Sequence, residues 1–236
     1  MTMIARRTLL VGIGVMPFLA SSISEATNTQ NKETAMNTDA FAYEHKPVPL
    51  PFDPTALRGI SERLIQSHWE NNYAGASKAL NTVRSKLLQA LGADTPPYVY
   101  TGLKREQAIR TGSVVLHEMY FRNLGGDGKA PGDLRTRIGG AFGTFDQWES
   151  EFRKIGHGLG GGSGWVVLGY NEHLKLLENY WLADHATNPA HTRPVLVMDM
   201  YEHAYQMDYG AAAGKYIDAF FININWDEIA KRLETG

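Results

Sequence analysis

The chain has 236 residues, 43% of them hydrophobic and 20% charged, which is enough apolar material for a sizeable core and too little charge for a disordered polymer. Lys and Arg number 23 against 25 Asp and Glu, with no basic stripe, which argues against a nucleic-acid partner. Cysteine is absent, which rules out disulfides, thiolate nucleophiles and iron–sulfur clusters and leaves only nitrogen and oxygen donors for any metal.

Residues 1–26 read as an export signal. Arg6 and Arg7 precede the apolar stretch TLLVGIGVMPFLA and a small, polar tail, an arrangement similar to a bacterial twin-arginine signal. Gly12, Gly14 and Pro17 interrupt the stretch, and it is too short to span a bilayer, so no stable membrane span is expected and the destination is the periplasm. Residues 27–42 are polar, without periodicity, and read as a flexible tether. Pro47, Pro49, Pro51 and Pro54 forbid a helix at the start of the body and favour an extended arm.

Ser61 then caps a long helix through residue 90, with an interruption near residues 73–75, and Gly92 ends it. A second helix is predicted over 104–123, and the glycine-rich segment 124–133 divides a helical subdomain (43–126) from a mixed one (133–236). Short helices are expected at 134–142 and 145–155, followed by a glycine-rich bend. The period then changes from 3.6 to 2: strands at 165–170 and 173–179 form a hairpin, 194–199 is a third strand, and helical text closes the chain. The fold class is therefore α+β, with three short strands in the second subdomain.

His68 and His117 lie on the apolar faces of the two long helices, where a lone histidine is ordinarily a hydrogen-bonded core residue. Asp199 changes that reading. It ends an apolar strand, where a bare carboxylate is costly to bury unless paired or coordinated. His203 follows four residues later, within reach of the next turn. Three imidazoles and one carboxylate suit iron or manganese, and zinc by donor type.

His68 in SERLIQSHW, His117 in LHEMYF and the string DMYEHAY at 199–205 together resemble the iron/manganese superoxide dismutase family. AFGTFDQWESEF at 141–152 and NWDEIAKRL at 225–233 agree in order, and the likeness covers roughly residues 43–233. The resemblance implies a three-stranded antiparallel sheet, one Fe or Mn ion per subunit held by His68, His117, Asp199 and His203, superoxide anion as substrate, and a homodimer in which Glu202 reaches the partner's ligand histidine. It also implies a role for Tyr205 in the access channel.

Several positions around the ligands depart from the family pattern. Asn72 and Ala76 stand where a histidine and a gateway tyrosine are usual, Ser113 stands at one of two glutamine positions, and Tyr201 replaces a tryptophan. An arginine after the ligand helix is missing near 211–214. If Asn179 matches the family's hairpin asparagine, Tyr180 takes the second glutamine position and its hydroxyl is the expected donor toward the ion; a shifted loop would put His185 there instead. The runner-up to a dismutase is a related metal-binding protein with little such activity, serving as a scaffold or in another redox role. A non-haem iron oxygenase is the third reading.

Overall fold

The computed structural model describes residues 39–234, so the expected export signal and most of the expected tether lie outside the described residues. The tether's last residues, Asp39–Ala42, form a helical turn (α1) against the helix at Ala74–Gly92. The proline arm follows as extended chain to a short 3₁₀ turn at Pro54–Ala56.

Ser61 caps α2 (Glu62–Ser67), its hydroxyl accepting the Leu64 N–H at 3.1 Å. The interruption expected near residues 73–75 falls earlier, as a π-helical turn over His68–Tyr73, from which the chain passes into α3 (Ala74–Gly92) without leaving helical geometry. The Ala74 N–H reaches back five residues to the Trp69 carbonyl, the wider loop that defines such a turn. Helix α4 (Pro97–Arg122) begins seven residues before the predicted start, because Pro97 occupies the first helical position, where a missing N–H costs nothing. It packs on α3 as a helical hairpin. Helices α5 (Gly132–Phe142) and α6 (Phe145–Leu159) come next, the second capped by the Thr144 hydroxyl.

The sheet is antiparallel in the order β2-β1-β3, from β1 (Trp165–Asn171), β2 (Leu176–Leu182) and β3 (Thr192–Asp199). Val166, Val167 and Leu168 are buried in succession, as are Val195 through Met198. Alternate side chains point to opposite faces, so such runs mean that both faces of the sheet are covered. Strand β2 is one of the two edges and leaves Trp181 exposed. Its residues sit three positions later than predicted, because β1 runs on to Asn171 and Lys175 closes a longer turn in a left-handed conformation. Helices α7 (Gln206–Tyr209), α8 (Ala213–Ile222) and α9 (Trp226–Glu234) complete the chain.

The helical part and the sheet share one hydrophobic core. A polar junction fixes their relative position. Asn123, fully buried at the end of α4, donates to the Val197 carbonyl of β3 at 2.5 Å and accepts from Arg232 of α9 at 2.7 Å. The same guanidinium donates to the Val195 carbonyl at 2.9 Å. Helix α4 is thereby held against β3.

Gly112, in mid-helix α4, is kept for space. A Cβ there would lie 1.7 Å from the His185 carbonyl oxygen in the loop after β2. Gly112→Ala should therefore lower stability by about 1–3 kcal/mol, as overpacking does, despite the roughly 1 kcal/mol that alanine gains over glycine in a helix. Urea unfolding checks this, and a more stable variant would show that the loop does not press on α4.

Candidate metal centre

Four elements each deliver one side chain to a common point. His68 opens the π turn, His117 lies on α4, Asp199 is the last residue of β3, and His203 sits in the 3₁₀ turn Glu202–Ala204 that follows it. One ligand atom from each lies within 4.8 Å of all the others. The carboxylate oxygen Oδ2 of Asp199 is 3.1 Å from His68 Nε2, 3.2 Å from His203 Nε2 and 3.7 Å from His117 Nε2. His68, His117 and Asp199 are buried, whereas the His203 side chain keeps 26% of its exposure and marks the open side.

The neighbouring backbone orients these groups. Oδ1 of Asp199 accepts the Tyr201 N–H at 2.8 Å, which leaves Oδ2 for the histidines, and the Tyr216 hydroxyl donates to the Asp199 carbonyl at 2.7 Å. The Ser113 carbonyl takes the Nδ1 proton of His117 at 2.7 Å and so presents an Nε2 lone pair to the cluster. That Nε2 is buried without a hydrogen-bond partner among the described residues, a costly state for a nitrogen that nothing coordinates. Three nitrogens and one carboxylate oxygen suit iron or manganese, and the orphaned lone pair faces where the ion belongs.

Protonation agrees with that use. Burial, with the adjacent charge of His68, lowers His117 to about 3, and burial likewise lowers His68. For Asp199 burial opposes ionisation, but the contacts with His203 and His68 outweigh it and hold the carboxyl well below its usual range. His68 and His117 thus favour the neutral imidazole beside an ionised Asp199.

Beyond the ligands, the sequence expectation needs correcting at Tyr180. Its hydroxyl bonds to Glu178, and its ring lies over Gly169 toward the far end of β1 from Trp165, the residue paired with Asp199. The strand shift carries it there. His185 comes to the centre instead: its ring lies 6.0 Å from His117 and stacks on Tyr201 at 4.8 Å, and Tyr201 in turn stacks on His203. Trp165 Nε1 can only donate, and it reaches His185 Nδ1 at 3.0 Å, so the His185 proton sits on Nε2. Burial lowers the His185 pKa, in keeping with a neutral ring. His185 lies three residues beyond the true end of β2 at Leu182, in the loop that the sequence expectation offers only as a shifted alternative to Tyr180.

Of the other two expected catalytic residues, Tyr205 accepts the Gly161 N–H at its hydroxyl at 3.1 Å, and its ring is buried against Tyr216. Glu202 is exposed at the start of the 3₁₀ turn. Of the divergent positions, Ala76 is buried and Ser113 places its hydroxyl 3.3 Å from His117 Nδ1.

The family model for iron/manganese superoxide dismutases, C-terminal domain, matches residues 130–232. A superoxide dismutase [Fe] of Cupriavidus metallidurans is 49% identical over 190 residues, 80% of this chain and 95% of that protein. A superoxide dismutase [Fe] of Aquifex pyrophilus is 35% identical over 77% of this chain and 87% of the relative, and a superoxide dismutase [Mn] 1 of Halobacterium salinarum is 30% identical over 81% and 96%. With the fold, the N₃O cluster and this likeness in agreement, the chain belongs to the iron/manganese superoxide dismutase family.

Lowered histidine pKa values give the metal-free protein a definite pH dependence. Between an unfolded value near 6.5 and a folded value near 3, the unfolded chain binds the His117 proton and the native chain does not. Stability therefore falls as pH drops through that window, by about 1.4 kcal/mol per pH unit per group. His68 adds in the same direction, and the depressed Asp199 extends the loss below the usual carboxylate range. Urea midpoints of metal-free protein should fall steadily from pH 6.5 to pH 4, with a shallower slope in His117→Gln. A flat profile would contradict burial of neutral imidazoles.

Proposed function

We propose that the chain is a superoxide dismutase that uses one Fe or Mn ion per subunit, held by His68, His117, Asp199 and His203. The observation that carries this reading is the buried carboxylate facing three imidazoles, in a chain 49% identical to a superoxide dismutase [Fe]. Bound there, the ion supplies electron exchange: one superoxide gives up an electron and leaves as oxygen, and a second takes that electron and two protons and leaves as hydrogen peroxide.

The protein's own residues hold the charge and place the protons. Imidazoles bind a metal in their neutral form, so with one carboxylate the ligand set would carry a single negative charge and leave a divalent or trivalent ion net positive and attractive to a small anion. The covered sheet and the rings of Tyr120, Phe121 and Trp165 around the ligands keep the surroundings apolar on all but the His203 side. There His185, with its proton on Nε2 and its ring clamped between Trp165 and Tyr201, is the group placed to donate near the ion. Hydrogen-bonding groups just outside the ligands tune both affinity and potential.

The exposed position of Glu202 supports a homodimer that places this carboxylate at the partner's site. The paired arginines and apolar stretch within residues 1–26 support export to a bacterial periplasm.

Pulse radiolysis on iron- or manganese-loaded protein tests the activity. Superoxide should disappear with a second-order constant on the order of 10⁸–10⁹ M⁻¹s⁻¹. His185→Phe should lower it by about 10–100-fold, whereas Tyr180→Phe should leave it unchanged. A loaded protein that shows only the background rate would favour the metal-holding scaffold.

A further inference from the structure

The π turn that carries His68 is a geometry seldom stable by itself, since its hydrogen bonds span one residue more than those of the regular helix on either side. His68 also lacks the support that His117 enjoys. Its Nδ1 is buried without a hydrogen-bond partner among the described residues, so its direction depends on ring packing and on the backbone turn beneath it.

The proline arm grips that turn at both ends through one residue. Val48 accepts the Trp69 indole N–H at its carbonyl, 2.9 Å away, and donates its own N–H to the Tyr73 hydroxyl at 2.7 Å. Trp69 and Tyr73 stand near the beginning and at the end of the π turn, and their rings touch edge to face. The Tyr73 hydroxyl in turn donates to Glu118 Oε1 at 2.7 Å, and His45 Nε2 reaches the same oxygen at 2.6 Å. Glu118 follows His117 on α4, so the grip is joined to the helix of the second ligand.

The arm itself is firmly fastened. His45 donates its backbone N–H to Asn81, and its carbonyl accepts from both Asn81 and Ser77 on α3. Prolines at 47, 49 and 51 stiffen the chain on either side of Val48, which reduces the entropy lost in holding it extended.

We propose that residues 45–51 are a positioning strap for the first metal ligand: Val48 holds the π turn at Trp69 and Tyr73, and Glu118 and His45 lock that hold to α4. Tyr73, Glu118 and His45 are thus positioning residues, acting through the turn on His68. The metal-loaded part of the test rests on the proposed dismutase centre, whereas the backbone part does not.

The test uses the full chain with Tyr73→Phe, Glu118→Ala, Glu118→Gln and His45→Ala. In metal-free protein, amide hydrogen exchange over residues 68–73 should accelerate in Tyr73→Phe and Glu118→Ala, with exchange in α6 and β1 unchanged. In metal-loaded protein the same two variants should release the ion to a chelator about 10-fold faster and show an altered electron paramagnetic resonance spectrum. Glu118→Gln keeps an oxygen acceptor and should restore wild-type behaviour; His45→Ala should fall between. Unchanged exchange over 68–73 in folded Tyr73→Phe would overturn the proposal. So would a uniform loss of stability with no local change and an unaltered spectrum, which would make the strap ordinary structural support. If the wild type takes up no ion, the dismutase reading fails and the exchange data still decide the strap.

Discussion

Everything in this structure turns on one carboxylate removed from water. Asp199 is fully buried at the end of a strand that is itself buried, and an isolated carboxylate there would be several kcal/mol out of balance. Its two oxygens divide the task of offsetting that cost. Oδ1 takes the Tyr201 backbone N–H, and Oδ2 faces His68, His117 and His203. To bring those imidazoles in, the fold must press two helices onto the end of a sheet and turn the chain sharply after β3. The shared core and the Asn123–Arg232 junction hold these elements together.

Long-range order of this kind leaves different traces in the sequence. The helices bearing His68 and His117 and the apolar run ending at Asp199 were legible from periodicity, because burying one face or both imposes it. The meeting of His68, His117, Asp199 and His203 was legible mainly because the family strings gave the helical histidines an order; a strand-end aspartate with a histidine four residues on is a weak signal by itself. Element boundaries were less legible. Pro97 extends α4 upstream, and the turn after β1 is longer than its composition shows, which moves β2 by three residues.

That small error matters most at the centre, because side chains just outside the ligands are placed by loops and not by periodic elements. His185 lies in the loop beyond the end of β2, and only the folded chain reveals that its ring, and not that of Tyr180, meets His117. The strap was equally hidden. Its prolines announced an extended arm, but nothing in the spacing of Val48, Trp69, Tyr73 and Glu118 shows that they meet. Glycine at 112 is the one sequence trace of the loop's close approach to α4.

Around the His68–His117–Asp199–His203 cluster, Tyr201 stands between His185 and His203 as one member of a stack of rings, and the Trp165 indole N–H holds His185. The most direct measurement is a crystal structure of the iron- or manganese-loaded protein, with the ion located by anomalous scattering at its own absorption edge. The ion should lie bound by the Nε2 atoms of His68, His117 and His203 and by Oδ2 of Asp199, with His185 and not Tyr180 beside it. An ion held elsewhere, or by fewer than these four side chains, would contradict the account.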